Sequence, residues 1–133
     1  MTKSQRDKII SIIEKDSTFS NKYFDWKTDD CCVIGGLLQE AKFNKVKLRE
    51  EPTSYGGFFN TTDIRSILNL RPDLFNETQL KVCEEIKSIL ENYGIGLNLA
   101  CTLQQINDSY SDKMVGDRRK ELIKRVMAEP LTD

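Results

Sequence analysis

The residues best placed to do chemistry in this chain are two adjacent thiols, Cys31 and Cys32, which follow Asp29 and Asp30 and open an apolar helical pattern. A thiol at a helix N-terminus feels the positive end of the helix dipole, which lowers its pKa and favours the nucleophilic thiolate. Nucleophilic catalysis also needs a base. The chain has no histidine, so neither a Cys/His pair nor a Ser/His/Asp triad can be assembled. The two flanking carboxylates work against thiolate formation, because like charges raise a pKa. An enzyme with a Cys31 or Cys32 nucleophile is therefore the weakest reading, and no catalytic residue is assigned.

Other chemistry-bearing residue types point the same way. Asp29/Asp30, Glu50/Glu51 and Glu84/Glu85 are neighbouring carboxylates, but adjacent residues on a helix project apart, and these read as caps or solvated surface. Gly35-Gly36, Gly56-Gly57 and Gly94-x-Gly96 lack the spacing of a dinucleotide fingerprint or a P-loop. The four cysteines offer no zinc-type spacing, so neither a metal nor another cofactor is expected. Cys83 and Cys101 fall at apolar positions of helical patterns, which predicts reduced, mainly buried thiols.

Two groups of cations raise the possibility of phosphate contacts. Lys42, Lys45, Lys47 and Arg49 form one, and Lys113, Arg118, Arg119, Lys120, Lys124 and Arg125 decorate the last helical pattern. A nucleic-acid-associated protein would use Arg118, Arg119 and Lys124. Against this, 20 Lys and Arg face 21 Asp and Glu, a formal net charge of −1, so no global field favours nucleic acid or an anionic membrane. Asp112, Asp117 and Glu121 are also spaced for ion pairs along the same helix.

The stretch Tyr55-Gly56-Gly57-Phe58-Phe59 carries the stronger signal. Two adjacent phenylalanines on a flexible turn do not easily both fold under, and exposed aromatics are favoured anchors at protein interfaces. Tyr55, Phe58 and Phe59, flanked by Lys47 and Arg49, form the candidate partner-binding surface. In the competing reading, both phenylalanines pin the loop to the core.

The elements that must position these residues are helical. At 133 residues and 15.3 kDa the chain fits one domain, and its apolar residues recur in periodic clusters. Thr2 or Ser4 caps a first helix with Ile9, Ile10, Ile12 and Ile13 inward, ending near Asp16. Ser17 to Lys27 is an aromatic-anchored connection with Phe19, Tyr23, Phe24 and Trp26, the last a core plug. Asp29 or Asp30 caps a central helix bearing Val33, Ile34, Leu37, Leu38 and Ala41. Gly35 and Gly36 each weaken it by about 1 kcal/mol, which implies a close approach by another helix or by Trp26.

Residues 44–60 lack a helical period. Lys45 to Arg49 alternates like a short strand, followed by a turn-rich stretch, so a long loop or small β-hairpin is predicted. Thr61 or Thr62 caps a helix of roughly ten residues carrying Ile64, Ile67 and Leu68, stopped at Arg71-Pro72. Asn76-Glu77-Thr78-Gln79 opens a helix with Leu80, Cys83, Ile86, Ile89 and Leu90 inward and Tyr93-Gly94 at its end. Leu97, Ala100, Leu103 and Ile106 form the next stripe, closed by the turn formers Asn107, Asp108 and Ser109. The last helix runs from about Val115 to Glu129, with Leu122, Ile123, Val126 and Met127 inward. The prediction is an all-α bundle of about six helices spanning 1–133.

Three segments together resemble small uncharacterised α-helical proteins of phages and mobile elements. They are Asp30-Cys31-Cys32-Val33-Ile34-Gly35-Gly36-Leu37, Ile67-Leu68-Asn69-Leu70-Arg71-Pro72-Asp73-Leu74-Phe75, and Leu103-Gln104-Gln105-Ile106-Asn107-Asp108. They match a Cys-x-x-Gly helix start, a Leu-Gly-Leu-like turn ahead of Leu-Phe, and an Asn-Asp cap, with Asn69 standing at the glycine of the turn. The resemblance implies no activity; it implies a setting in which small proteins act by binding a host protein, for instance as inhibitors of bacterial defence. The expectation is thus a non-enzymatic binding module, cytoplasmic and away from membranes, with self-association left open.

Overall fold

The computed structural model describes residues 1–15, 20–49 and 52–132. The expectations for Asp16, Ser17, Phe19, Glu50 and Glu51, and for the side chain of Asp112, lie outside the described residues. The all-α prediction is met: six α-helices and three short 3-10 turns, with no strand among the described residues. Only two isolated bridges occur there, Phe24 to Cys31 and Pro52 to Phe58.

Helix α1 (Lys3–Lys15) starts at Thr2, whose hydroxyl accepts from the Gln5 amide at 3.1 Å while Gln5 Oε1 accepts from the Thr2 amide at 2.8 Å. This reciprocal box satisfies two otherwise orphaned donors. Ile9 and Ile13 are buried; Ile10 and Ile12 are half-buried at the flanks. Helix α2 (Val33–Glu40) is the apolar centre, with Val33, Ile34, Leu37 and Leu38 buried, although Ala41 is exposed. Helix α3 (Ile64–Leu68) is short. Helix α4 (Glu77–Asn92) opens at Asn76 and ends at Tyr93, as predicted, its start closed by a complete capping box between Asn76 and Gln79 and its end followed by Gly94 in the left-handed region at φ 79°.

Helix α5 (Leu97–Asp108) and helix α6 (Val115–Met127) complete the fold. α2 packs on α1, α4 and α5, while α5 also packs on α3 and α6, so α2 and α5 form the middle of the bundle. The buried apolar side chains make one continuous cluster. Among the described residues no helix is long and apolar enough to cross a membrane.

Several local expectations are corrected. α2 is capped by Cys32, whose sulfur accepts from the Gly35 amide at 3.3 Å. Asp29 and Asp30 lie in a tight turn ahead of it, closed by Asp25 N–H to Asp30 O at 2.8 Å, with Asp29 at φ 61°. The close approach at Gly35 comes from neither a helix nor Trp26: a Cβ there would overlap the Tyr23 carbonyl oxygen, whereas one on Gly36 would meet nothing within 4 Å. Lys45–Leu48 is a 3-10 turn and not a strand, because Asn44 Oδ1 captures the Val46 amide at 3.2 Å. Leu48 is then buried and Val46 is left in water.

Asp63 displaces Thr61 and Thr62 as the α3 cap, accepting from the Arg65 amide at 2.8 Å, while both threonine hydroxyls turn back to the Phe58 carbonyl. A carboxylate holds a helix N-terminus more strongly than a hydroxyl does. α3 also stops early, before Arg71-Pro72, because Asn69 caps its end and Leu70 turns left-handed at φ 51°. Met127, expected inward, is 50% exposed. Trp26 is a half-buried lid on the core edge, tilted against Phe24, and not a plug.

Candidate functional site

The aromatic turn is built from short-range geometry. Thr53 and Gly57 are joined by an N–H to O bond of 2.7 Å, and the Gly56 amide donates to the Thr53 carbonyl at 3.0 Å. Gly56 sits at φ 85°, a conformation that side chains with a Cβ resist. The base of the turn is braced from outside: the Ser54 amide donates to the Leu74 carbonyl at 3.0 Å, and Gln79 Nε2 donates to the Pro52 carbonyl at 2.8 Å. Tyr55 is thereby held at the tip, 80% exposed, and Phe58 stands beside it at 56%.

Phe59 does not belong to this surface. Its side chain is fully buried, with its ring 5.3 Å from that of Phe75. Alternation of direction along the extended Phe58 backbone sends one phenylalanine out and the next in, so each of the two sequence readings describes one of the pair. Lys47 and Arg49 also have other engagements: Lys47 Nζ pairs with Glu85 at 2.8 Å, and the Arg49 guanidinium lies 5.1 Å from the Trp26 ring centre, on a ring that Lys45 also covers. In their place, Arg71 joins the aromatic residues. Tyr55, Phe58, Thr62, Ser66, Arg71 and Leu74 line a groove of about 300 Å³. Arg71 is forked onto Asp73, with Nε to Oδ1 at 3.0 Å, and this bond holds the Asp73 carboxyl below its ordinary range.

A second depression of about 200 Å³ shares Thr61, Thr62 and Asp63 with the groove and adds Tyr23, Gln104 and Asp108. Gln104 fixes its floor, accepting from the Ile64 amide at 3.0 Å and donating to the Tyr23 hydroxyl at 3.3 Å. The Tyr23 hydroxyl in turn donates to the Thr62 carbonyl. Burial pushes the Asp108 carboxyl above its ordinary pKa, with the nearby Asp63 charge adding to the effect. Burial likewise raises the Tyr23 phenol well above its usual value.

Of the candidate phosphate contacts on α6, Arg118 does not reach the surface. Arg118 is buried, 1% exposed, and its Nη1 donates to Asn107 Oδ1 at 2.8 Å, which corrects its assignment to a nucleic-acid face. Arg119 is half-buried and Lys124 exposed, while Arg125 pairs with Glu129 at 2.9 Å. The four cysteines form no disulfide: Cys32, Cys83 and Cys101 are buried and Cys31 is half-exposed, its sulfur donating to Gln39 Oε1 at 3.2 Å. Desolvation pushes Cys32, which Gly35 holds as a cap, up to about 12, and Cys83 to about 12. Among the described residues no three His, Cys, Asp or Glu side chains are grouped to hold a metal ion.

Sequence reasoning missed Arg71, the Asp63/Asp108 cleft and, above all, Asn107. Instead of capping, Asn107 is fully buried. One signal was available: Asn107 follows Ala100 and Leu103 at helical spacing, so it falls on the inward stripe of α5. The chain matches no protein-family model, no curated protein and no solved structure.

Proposed function

We propose that this chain is a non-enzymatic protein-binding module whose contact surface is the 53–58 turn and the groove beneath it. The observation that carries the reading is the exposure of Tyr55 and Phe58 on a turn braced by hydrogen bonds to Leu74 and Gln79. Large aromatic side chains left in water on an already ordered turn lose little conformational freedom when covered, which is the economy of a preorganised contact. Raised thiol pKa values at Cys32 and Cys83 support a reading without a cysteine nucleophile. The resemblance to phage and mobile-element proteins supplies the setting: the partner is a host or bacterial protein that this chain inhibits or modulates.

Affinity capture from a bacterial lysate, with the wild type beside Tyr55→Ser/Phe58→Ser, tests the proposal. The expected result is a protein retained by the wild type and lost by the double variant, with far-UV and near-UV circular dichroism unchanged. Identical captured sets, or no specific capture, would overturn it.

A further inference from the structure

The groove has a direction, because its two ends differ in chemistry. At the aromatic end Arg71, the one cation among the described residues that line it, is neutralised by its fork onto Asp73. At the other end, past the ridge formed by Thr61, Thr62 and Asp63, two carboxylates face a polar cleft. Asp63 Oδ1 accepts from the Arg65 amide, and Asp108 Oδ1 accepts from Asn107 Nδ2 at 3.2 Å. Among the described residues no lysine or arginine lines that cleft, and neither carboxylate makes an ion pair. Arg65, the cation nearest in sequence, does not line it.

Resting on the reading of the aromatic turn as a contact surface, we infer that its occupant is a short segment of a partner protein that sets an apolar side chain against Tyr55 and Phe58 and delivers a lysine or arginine into the Asp63/Asp108 cleft. Charge complementarity selects this occupant. A cation entering the cleft meets two carboxylates and, among the described lining residues, no competing cation, and the partial desolvation of Asp108 strengthens its bond to an incoming ammonium or guanidinium. A phosphate-bearing ligand would meet repulsion at the same end.

The probe is a random-peptide display library selected on the full chain, followed by titration of the enriched peptides. Enriched sequences should pair an apolar or aromatic residue with a nearby Lys or Arg. Their affinity should fall about tenfold with Asp108→Asn or Asp63→Asn and weaken with added salt. Both variants keep an oxygen for their present hydrogen bonds, so the fold is retained. Peptides that need Tyr55 and Phe58 but show no basic preference and ignore both Asp→Asn changes would overturn this inference and leave the contact turn standing. Peptides indifferent to Tyr55→Ser/Phe58→Ser would overturn both, and a failure to enrich any peptide would overturn the short-segment occupant alone, since lysate capture reads the turn independently.

Discussion

Asn107 and Arg118 meet in the interior, where Arg118 Nη1 donates to Asn107 Oδ1 at 2.8 Å and both residues are at most 1% exposed. The same oxygen accepts from the Val33 amide at 2.9 Å, and Asn107 Nδ2 donates to the Ser20 carbonyl at 2.9 Å. One carboxamide therefore ties α5 to the start of α2, to the chain before Asn21 and to α6. Removing it strips the Val33 amide and the Ser20 carbonyl of a buried hydrogen bond and takes one from Arg118.

Asn107→Ala should lower stability by on the order of 3 kcal/mol. Part of that loss is the Asn107 Oδ1 bond to the Arg118 guanidinium, so the costs of Asn107→Ala and Arg118→Met should sum to more than the cost of the double variant. Urea unfolding of both single variants and the double variant checks the coupling; strictly additive losses would show that the two side chains act independently.

Phe58 and Phe59 are neighbours with opposite fates. Phe59→Ala should cost about 3 to 5 kcal/mol, because it empties a sealed site against Phe75. Phe58→Ala should stay within roughly 0.5 kcal/mol of the wild type. Thermal melts of the pair suffice, and equal losses would place both rings in the core.

A similar contrast holds at Gly35 and Gly36. Gly35→Ala drives a methyl into the Tyr23 carbonyl and should destabilise by about 1 to 3 kcal/mol. Gly36→Ala meets open space inside α2 and should stabilise by about 0.5 to 1 kcal/mol. Opposite shifts in urea midpoint are the expected outcome.

Alkaline pH should weaken the fold through its thiols. In the native state Cys32 and Cys83 ionise near 12 instead of their ordinary 9.0. Between these values the unfolded chain has lost protons that the native chain keeps, so stability is fully present below about pH 9 and declines as pH rises toward 12. Each thiol contributes a slope of roughly 1.4 kcal/mol per pH unit in that window. Urea unfolding from about pH 8 to about pH 11 should show the decline, shallower in Cys83→Ala. A flat profile would mean that the native thiols ionise as easily as unfolded ones.

Much of the architecture was legible because it is encoded locally. α4 announces itself through Asn76 and Gln79 at its start, a regular apolar spacing, and Gly94 at its end, all within a few residues of one another. Where two local signals compete, sequence alone does not rank them. Asp63 against Thr61 and Thr62, or Cys32 against Asp29 and Asp30, are contests decided by where the preceding chain must go. The 25–30 turn takes the two aspartates out of reach of the α2 amides.

The contact surface was legible in its composition and not in its membership. Aromatic and glycine content marks residues 55–59, and the left-handed backbone at Gly56 follows from glycine chemistry. Which phenylalanine points outward, and that Arg71 joins while Lys47 and Arg49 turn to Glu85 and Trp26, depends on residues distant in the chain.

What the sequence determined by itself is the helical class and most element positions, since periodicity, capping and residue type act over one or two turns. What only the tertiary structure decided is the interior role of Arg118 and Asn107 and the meeting of Asp63 with Asp108. Burial and long-range hydrogen bonding are properties of the packed chain: Arg118 reads as a surface cation until α5 and α6 close over it and Asn107 supplies its partner.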